Sequence, residues 1–213
     1  FQRVGDLGTH GKPELFDLVC QTVPHADRVI FPSSWARNVV LKRLGGFKSA
    51  SIIQNAPLKK FIRKNEKKSY DGKISIVSHH WSNNSMKGFD VYQDLERFCD
   101  RVGRDKFDFT YIGRKPDDVK IKNYISPQDV EGLTRLLPIH HVYVTASKRE
   151  AGANHVLEAM ALGLPVLYHC DGGSINEYCE GNGMSYRDFN DLEKILLEEI
   201  EEIRDISYCM DYK

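Results

Sequence analysis

Two short segments hold the residue types whose spacing could do chemistry. The first is Ser78-His79-His80-Trp81-Ser82-Asn83-Asn84-Ser85-Met86-Lys87-Gly88, between an apolar β-like run ending at Val77 and a helix-length amphipathic stretch. A lysine at a helix N-terminus has the wrong sign for the helix dipole, which favours anions there. Lys87 fits that place if an anion sits between its ammonium and the unbonded N–H groups of the first turn; the alternative is a lysine pointing into solvent. The second segment is Ser147-Lys148-Arg149-Glu150-Ala151-Gly152-Ala153-Asn154, followed by His155-Val156-Leu157-Glu158-Ala159-Met160-Ala161-Leu162-Gly163. Small residues from Ala151 to Ala153 let backbone amides approach a ligand closely, again at an expected helix start.

The helix that follows is apolar nearly all round and is expected to be buried, yet it carries Glu158 between Leu157 and Ala159. A buried carboxylate without donors costs several kcal/mol. Asn154 and Glu158 are four residues apart, so they share a helix face and point toward whatever the Gly152 loop holds. Ligand hydroxyls would satisfy Glu158; the alternative is an internal ion pair with an Arg or Lys. Both segments follow apolar strand-like runs, and in an open parallel sheet ligands bind outside the carboxyl ends of the strands. Diphosphate-binding amides, one lysine and two carboxylates suited to sugar hydroxyls describe a nucleotide-sugar site.

The elements that must position these groups are legible as alternation. Candidate strands are 28–31, 51–53, 73–77, 107–112, 142–146 and 165–169; candidate helices are 34–44, 87–102, 128–136, 154–162, 174–180 and 190–207. Strand-helix alternation implies right-handed βαβ units and a parallel sheet covered on both faces. The last helix shows the clearest period, with Leu192, Ile195, Leu196, Ile200, Ile203 and Ile206 at three- and four-residue spacing. Residues 57–72 read as an interdomain linker, with Pro57, six basic residues from Lys59 to Lys68 and the turn dipeptide Asp71-Gly72.

Composition excludes several classes. The 213 residues carry 30 Lys+Arg against 30 Asp+Glu, 41% hydrophobic and 28% charged, an ordinary globular balance without the basic excess of a nucleic-acid binder. No run approaches the roughly 18 apolar residues of a membrane span. The neutral total conceals a dipole: nine bases against one acid from Lys42 to Lys68, eight acids against two bases from Asp188 to Asp205. The basic run is read as a plain linker, with contact to anionic lipid at a membrane periphery as the other reading. Five cysteines without a CxxC pair suit reduced thiols in the cytoplasm and give no zinc quartet. The Asp105/Asp108 and Asp117-Asp118 pairs read as solvated turns rather than metal sites, and His140-His141 as the entry to a buried strand.

The pattern Ser147-x-x-Glu150…Asn154-x-x-x-Glu158-Ala-Met-Ala-x-Gly-x-Pro165-Val resembles the E-x7-E signature of GT-B retaining glycosyltransferases of family 4. Other pieces agree in order: Ala26-Asp27-Arg28-Val29-Ile30…Ser33-Ser34-Trp35, Asn55-Ala56-Pro57, Met86-Lys87-Gly88, Tyr111-Ile112-Gly113 and Gly172-Gly173-Ser174…Glu177. The resemblance implies an α/β fold: a Rossmann-like donor domain (73–190) with helices on both faces of a parallel sheet. It would be preceded by the end of a second Rossmann-like, acceptor-side domain (1–56), and residues 191–213 would form a C-terminal helix crossing back toward it. The chain, opening on Phe1, is thus expected to be a fragment.

Carried over, Lys87 and Glu150 are the catalytic residues, Lys87 gripping the donor diphosphate and Glu150 the sugar hydroxyls. Gly152, Ala153 and Asn154 present amides, and Glu158 holds the ribose. Ser82, Gly113, Arg114 and Ser126 complete the donor contacts, and no metal or other cofactor is needed. The partners implied are a UDP-, GDP- or similar nucleotide sugar and a glycan, lipid-linked or protein acceptor. Two departures matter. Trp81 stands where the family often has a second phosphate-clamping arginine, so either Arg114 or a hydrogen-bonding group of this loop substitutes, or leaving-group stabilisation is weaker. His10 corresponds loosely to a catalytic histidine of the first domain, but a plain loop histidine is the expected reading. The rival functions are a non-catalytic nucleotide-sugar binder and another enzyme of this fold, such as a nucleotide-sugar epimerase.

Overall fold

A computed structural model describes residues 1–62, 72–199 and 202–203. Gln2–Arg3 (β1), Val29–Phe31 (β2) and Ala50–Ile52 (β3) form a three-stranded sheet in that order, linked by helices Pro13–Thr22 (α1) and Ser34–Leu44 (α2). Ile74–His80 (β4), Phe107–Gly113 (β5), Asn123–Ile125 (β6), Val142–Thr145 (β7), Val166–His169 (β8) and Gly183–Tyr186 (β9) form a second sheet, ordered β6-β5-β4-β7-β8-β9. Every pairing in both sheets is parallel. The second sheet starts in its middle at β4, runs outward to β6, then returns past β4 to β7. This is the doubly wound order, and its reversal point lies between β4 and β7.

Period-two alternation divides the core of the large sheet between its two faces. Ile74, Ile76, Phe109, Tyr111, Val142 and Val144 pack with Phe89–Val102 (α3) and Phe189–Glu198 (α7). Val77, Ile112, Tyr143 and Val166 pack with Asn154–Ala161 (α5) and Ser174–Cys179 (α6), while Val130–Leu136 (α4) adds Leu133 and Leu136 at the margin. The expected α/β fold, a parallel sheet with helices on both faces preceded by a smaller parallel sheet, is what forms.

Several boundaries differ from expectation. β4 continues three residues past Val77, so Ser78, His79 and His80 are strand rather than loop; these polar residues complete the carboxyl end of the ladder with β5 instead of breaking it. Lys87 does not open the long helix. It closes a 3₁₀ turn, Ser85–Lys87, and Gly88 at φ 72° separates that turn from α3. A Cβ at Gly88 would come 2.5 Å from Ala146 O, so the backbones of the two site segments cross here in contact. β1, β6, β9 and α1 are additional; Pro13 at N1 with Leu15, Phe16 and Val19 spaced for one helix face was a usable signal for α1.

The last helix docks on the large sheet through Leu192, Ile195 and Leu196, with Arg101 of α3 paired to Glu193 at 2.6 Å. Any crossing toward the first sheet would fall in residues 204–213, outside the described residues, as do Arg63 to Lys68 of the basic run. Asp188 caps α7 by accepting from the Asp191 N–H at 3.0 Å. Asp188→Ala is expected to cost about 1 kcal/mol, read as a lower urea midpoint with an unchanged slope.

Candidate functional site

The carboxyl ends of β4 and β5, the loop after β7 and the start of α5 enclose a cleft of about 380 Å³. Of the residues predicted from sequence, Ser82, Lys87, Gly113, Glu150, Gly152, Ala153, Asn154 and Glu158 line it. Arg114 and Ser126 stand outside its lining. Arg114 turns its guanidinium onto the Trp81 ring, 4.3 Å from the centroid. Ser126 precedes Pro127 and Gln128, which face the cleft in its place.

Lys87 and Glu150, 63 residues apart, meet at 2.5 Å with side chains only 10% and 13% exposed. The anion expected at Lys87 is thus, within the chain, the Glu150 carboxylate. His10 comes from the small-sheet half of the chain and lies against the same pair, its Nε2 3.7 Å from Glu150 Oε2. It donates to Lys148 O at 3.0 Å, which places its proton on Nε2. His10 does sit in a turn, as the reading of it as a loop histidine has it, and the structure adds its contact with the Lys87–Glu150 pair. Gly8 (φ 69°) and Gly11 (φ 87°) flank it in left-handed conformations, and a histidine bracketed by two glycines was the signal available. Burial holds its imidazole below the ordinary value, with Glu150 opposing that shift.

Among the described residues Glu158 meets neither Arg nor Lys; His79 Nε2 donates to its Oε2 at 2.9 Å. It keeps 24% exposure into the cleft, enough to accept from hydroxyls. Asn154, on the same face, accepts from Asn55 Nδ2 at 2.7 Å. The small-residue loop works differently from expectation. The Ala153 N–H donates to Ser174 Oγ and the Asn154 N–H to Gly152 O, at 3.2 and 3.1 Å. A Cβ on Gly152 would meet Asn55 and Pro32 at 2.8 and 3.0 Å, so its smallness admits the first half of the chain.

Beneath the cleft, His80 contacts Tyr92 OH at 2.6 Å and His155 contacts Thr145 Oγ1 at 3.1 Å. Burial, then neighbouring positive groups, pushes both imidazoles well below their ordinary range, so the floor is neutral. Within the lining, the charge consists of one ammonium, Lys87, and two carboxylates, Glu150 and Glu158. Such a set can accept from hydroxyls and face one anionic group. His141 joins Ser75 at the entry to β7, as a strand-entry residue does, and Asp108 is held by Arg104 and Lys73. Among the described residues no three His, Cys, Asp or Glu side chains are grouped to hold a metal ion.

No family model and no curated protein sequence matches this chain. Solved structures do. The pneumococcal O-GlcNAc transferase GtfA in complex with UDP and GlcNAc matches with a TM-score of 0.69 at 14% identity, over 92% of this chain and 44% of that one. HepE from Anabaena in complex with UDP and glucose matches at 0.71 and 15%, over 96% and 64%. Sucrose-phosphate synthase from Thermosynechococcus elongatus matches at 0.66 and 17%, over 97% and 60%. The chain therefore has the fold of GT-B glycosyltransferases and spans between 44% and 64% of the length of these three.

Proposed function

We propose that this chain is the donor-binding part of a retaining glycosyltransferase of family 4 that uses a nucleotide-diphosphate sugar. The observation that carries the reading is the convergence of Lys87, Glu150 and Glu158 in one cleft at the carboxyl end of a doubly wound sheet. The donor diphosphate lies against Lys87, the sugar hydroxyls against Glu150 with His10 beside it, and the ribose hydroxyls against Glu158. Transfer passes through a transition state of oxocarbenium character. Its departing diphosphate is stabilised by the fixed charge of Lys87, electrostatics already in place before the reaction. No metal ion enters this scheme. Support comes from the E-x7-E spacing and from two structural relatives whose structures hold UDP.

In this reading residues 1–56 are the end of an acceptor-side domain, 57–72 a linker and 73–190 the donor domain. The acceptor is a glycan, a lipid-linked sugar or a protein, met in the cytoplasm. No described helix is long and apolar enough to cross a membrane.

Calorimetry with a panel of UDP-, GDP- and ADP-sugars tests the reading. One base is expected to bind at micromolar to millimolar Kd, and release of free sugar from that donor marks an enzyme rather than a binder. A panel in which nothing binds overturns it.

A further inference from the structure

Arg149 is the one non-glycine among the described residues with a left-handed backbone, φ 56°, a conformation that costs roughly 1 kcal/mol for a side chain of this kind. It lies directly before Glu150, and such strain persists only where the surroundings over-determine it. Here they do, from two directions. On the donor side the Lys148, Arg149 and Glu150 amides donate to Met86 O, Asp171 O and Gly172 O, and the Ser174 amide donates to Glu150 O. Three remaining carbonyls are taken by side chains of residues 1–56. His10 donates to Lys148 O at 3.0 Å, Thr9 Oγ1 to Arg149 O at 2.9 Å and Ser33 Oγ to Ala151 O at 2.8 Å. Ser33 is fully buried, and Ala151 packs inside the small sheet's own core with Val29, Phe31 and Ala36.

We propose that Ser33 and Thr9 are positioning residues, which hold the Arg149 turn from the small-sheet side and so set the Glu150 carboxylate against Lys87. The inference rests on the reading of Glu150 as the group that meets the donor sugar, and it adds how that group is aimed. The two halves of the chain are then coupled through three carbonyls. A shift of the small-sheet half would loosen the Arg149 turn and the aim of the Glu150 side chain, while Glu158 stays with α5.

The test has two arms in the full chain. The first follows the His10 ring by NMR titration, since Glu150, Lys87 and Asp6 are the charged side chains acting on it. Ser33→Ala should lower the His10 midpoint as Glu150 moves away. Glu150→Gln should lower it too, and Ser33→Ala should add nothing in that background. Ser33 Oγ also caps α2 by accepting from the Ala36 N–H at 3.0 Å, so Asp188→Ala, a cap loss of similar size on α7, is the control and should leave the midpoint unmoved. A wild-type midpoint in Ser33→Ala overturns the proposal. The second arm compares UDP-glucose with UDP, or GDP-mannose with GDP where that base binds. Thr9→Val and Ser33→Ala should each weaken the nucleotide sugar about fivefold, the scale of one lost hydrogen bond, and leave the nucleotide unchanged, while Thr9→Ser, which keeps the hydroxyl, should bind as wild type does. Equal losses for both members of a pair overturn the proposal. If no nucleotide sugar of the full panel binds wild type, the functional reading fails, and the His10 titration still decides this one.

Discussion

Lys87→Ala is expected to slow glycosyl transfer about 100- to 1000-fold, the usual effect of removing one preorganised group that stabilises transition-state charge. The case rests on where the ammonium sits. Its side chain is only 10% exposed and is fixed by a 2.5 Å contact with Glu150, so under the proposed scheme it would meet developing diphosphate charge without reorganising. The same burial gives the variant a second, separable phenotype. Breaking a buried pair from one side leaves the other charge uncompensated, at about 3–5 kcal/mol. Lys87→Ala should therefore also melt at a markedly lower temperature. Adding Glu150→Gln removes the orphaned carboxylate, and the double variant should regain much of that stability with no recovery of transfer. Wild-type kcat in Lys87→Ala would show that the leaving group is stabilised elsewhere. An unchanged melting temperature would show that the pair contributes nothing to folding.

That pair also marks what could be read from the sequence. The apolar runs around Val77, Phe109, Val144 and Leu167 announced a two-sided parallel sheet, because strands buried on both faces carry few polar residues. β6 and β9, at the two edges, lack that signature: Asn123-Tyr124-Ile125 and Gly183-Met184-Ser185-Tyr186 are short and half polar. The polar end of β4 misled in the opposite direction, since Ser78, His79 and His80 look like loop while completing the ladder with β5. Within the site, residue types were legible and partners were not. Glu158 visibly needed a donor, but nothing local pointed to His79, 79 residues away. Gly152 visibly needed to be small, yet nothing local pointed to Pro32 and Asn55 as its close neighbours. Such pairings are decided by which strand ends become neighbours in the doubly wound order, and that information is spread over the whole chain.

Glu158→Ala should weaken the nucleotide and its sugar conjugate alike, by about 10- to 100-fold, because the ribose is common to both and bonds to a charged acceptor are worth about 1.5–3 kcal/mol. The carboxylate has one oxygen engaged by His79 Nε2, while the side chain keeps its exposure toward the cleft. Two hydroxyls of a ribose could share that group. The discriminating measurement is therefore the preference for UDP over 2′-deoxy-UDP. Wild type should prefer the ribonucleotide, and Glu158→Ala should lose most of that preference, since the deoxy ligand forfeits nothing that the variant still offers. Glu158→Gln retains an acceptor for the His79 N–H and for one hydroxyl but not the charge, so it should fall between the two. His79 adds a cost of its own in the alanine variant. Its Nδ1 is already buried without a partner among the described residues, and the substitution strips the partner from Nε2 as well. A modest loss of stability should accompany Glu158→Ala, smaller than that of Lys87→Ala because the group left behind is an imidazole rather than a buried carboxylate. If deoxy and ribo ligands weaken by the same factor, Glu158 acts only by holding His79 and the ribose is bound by other groups.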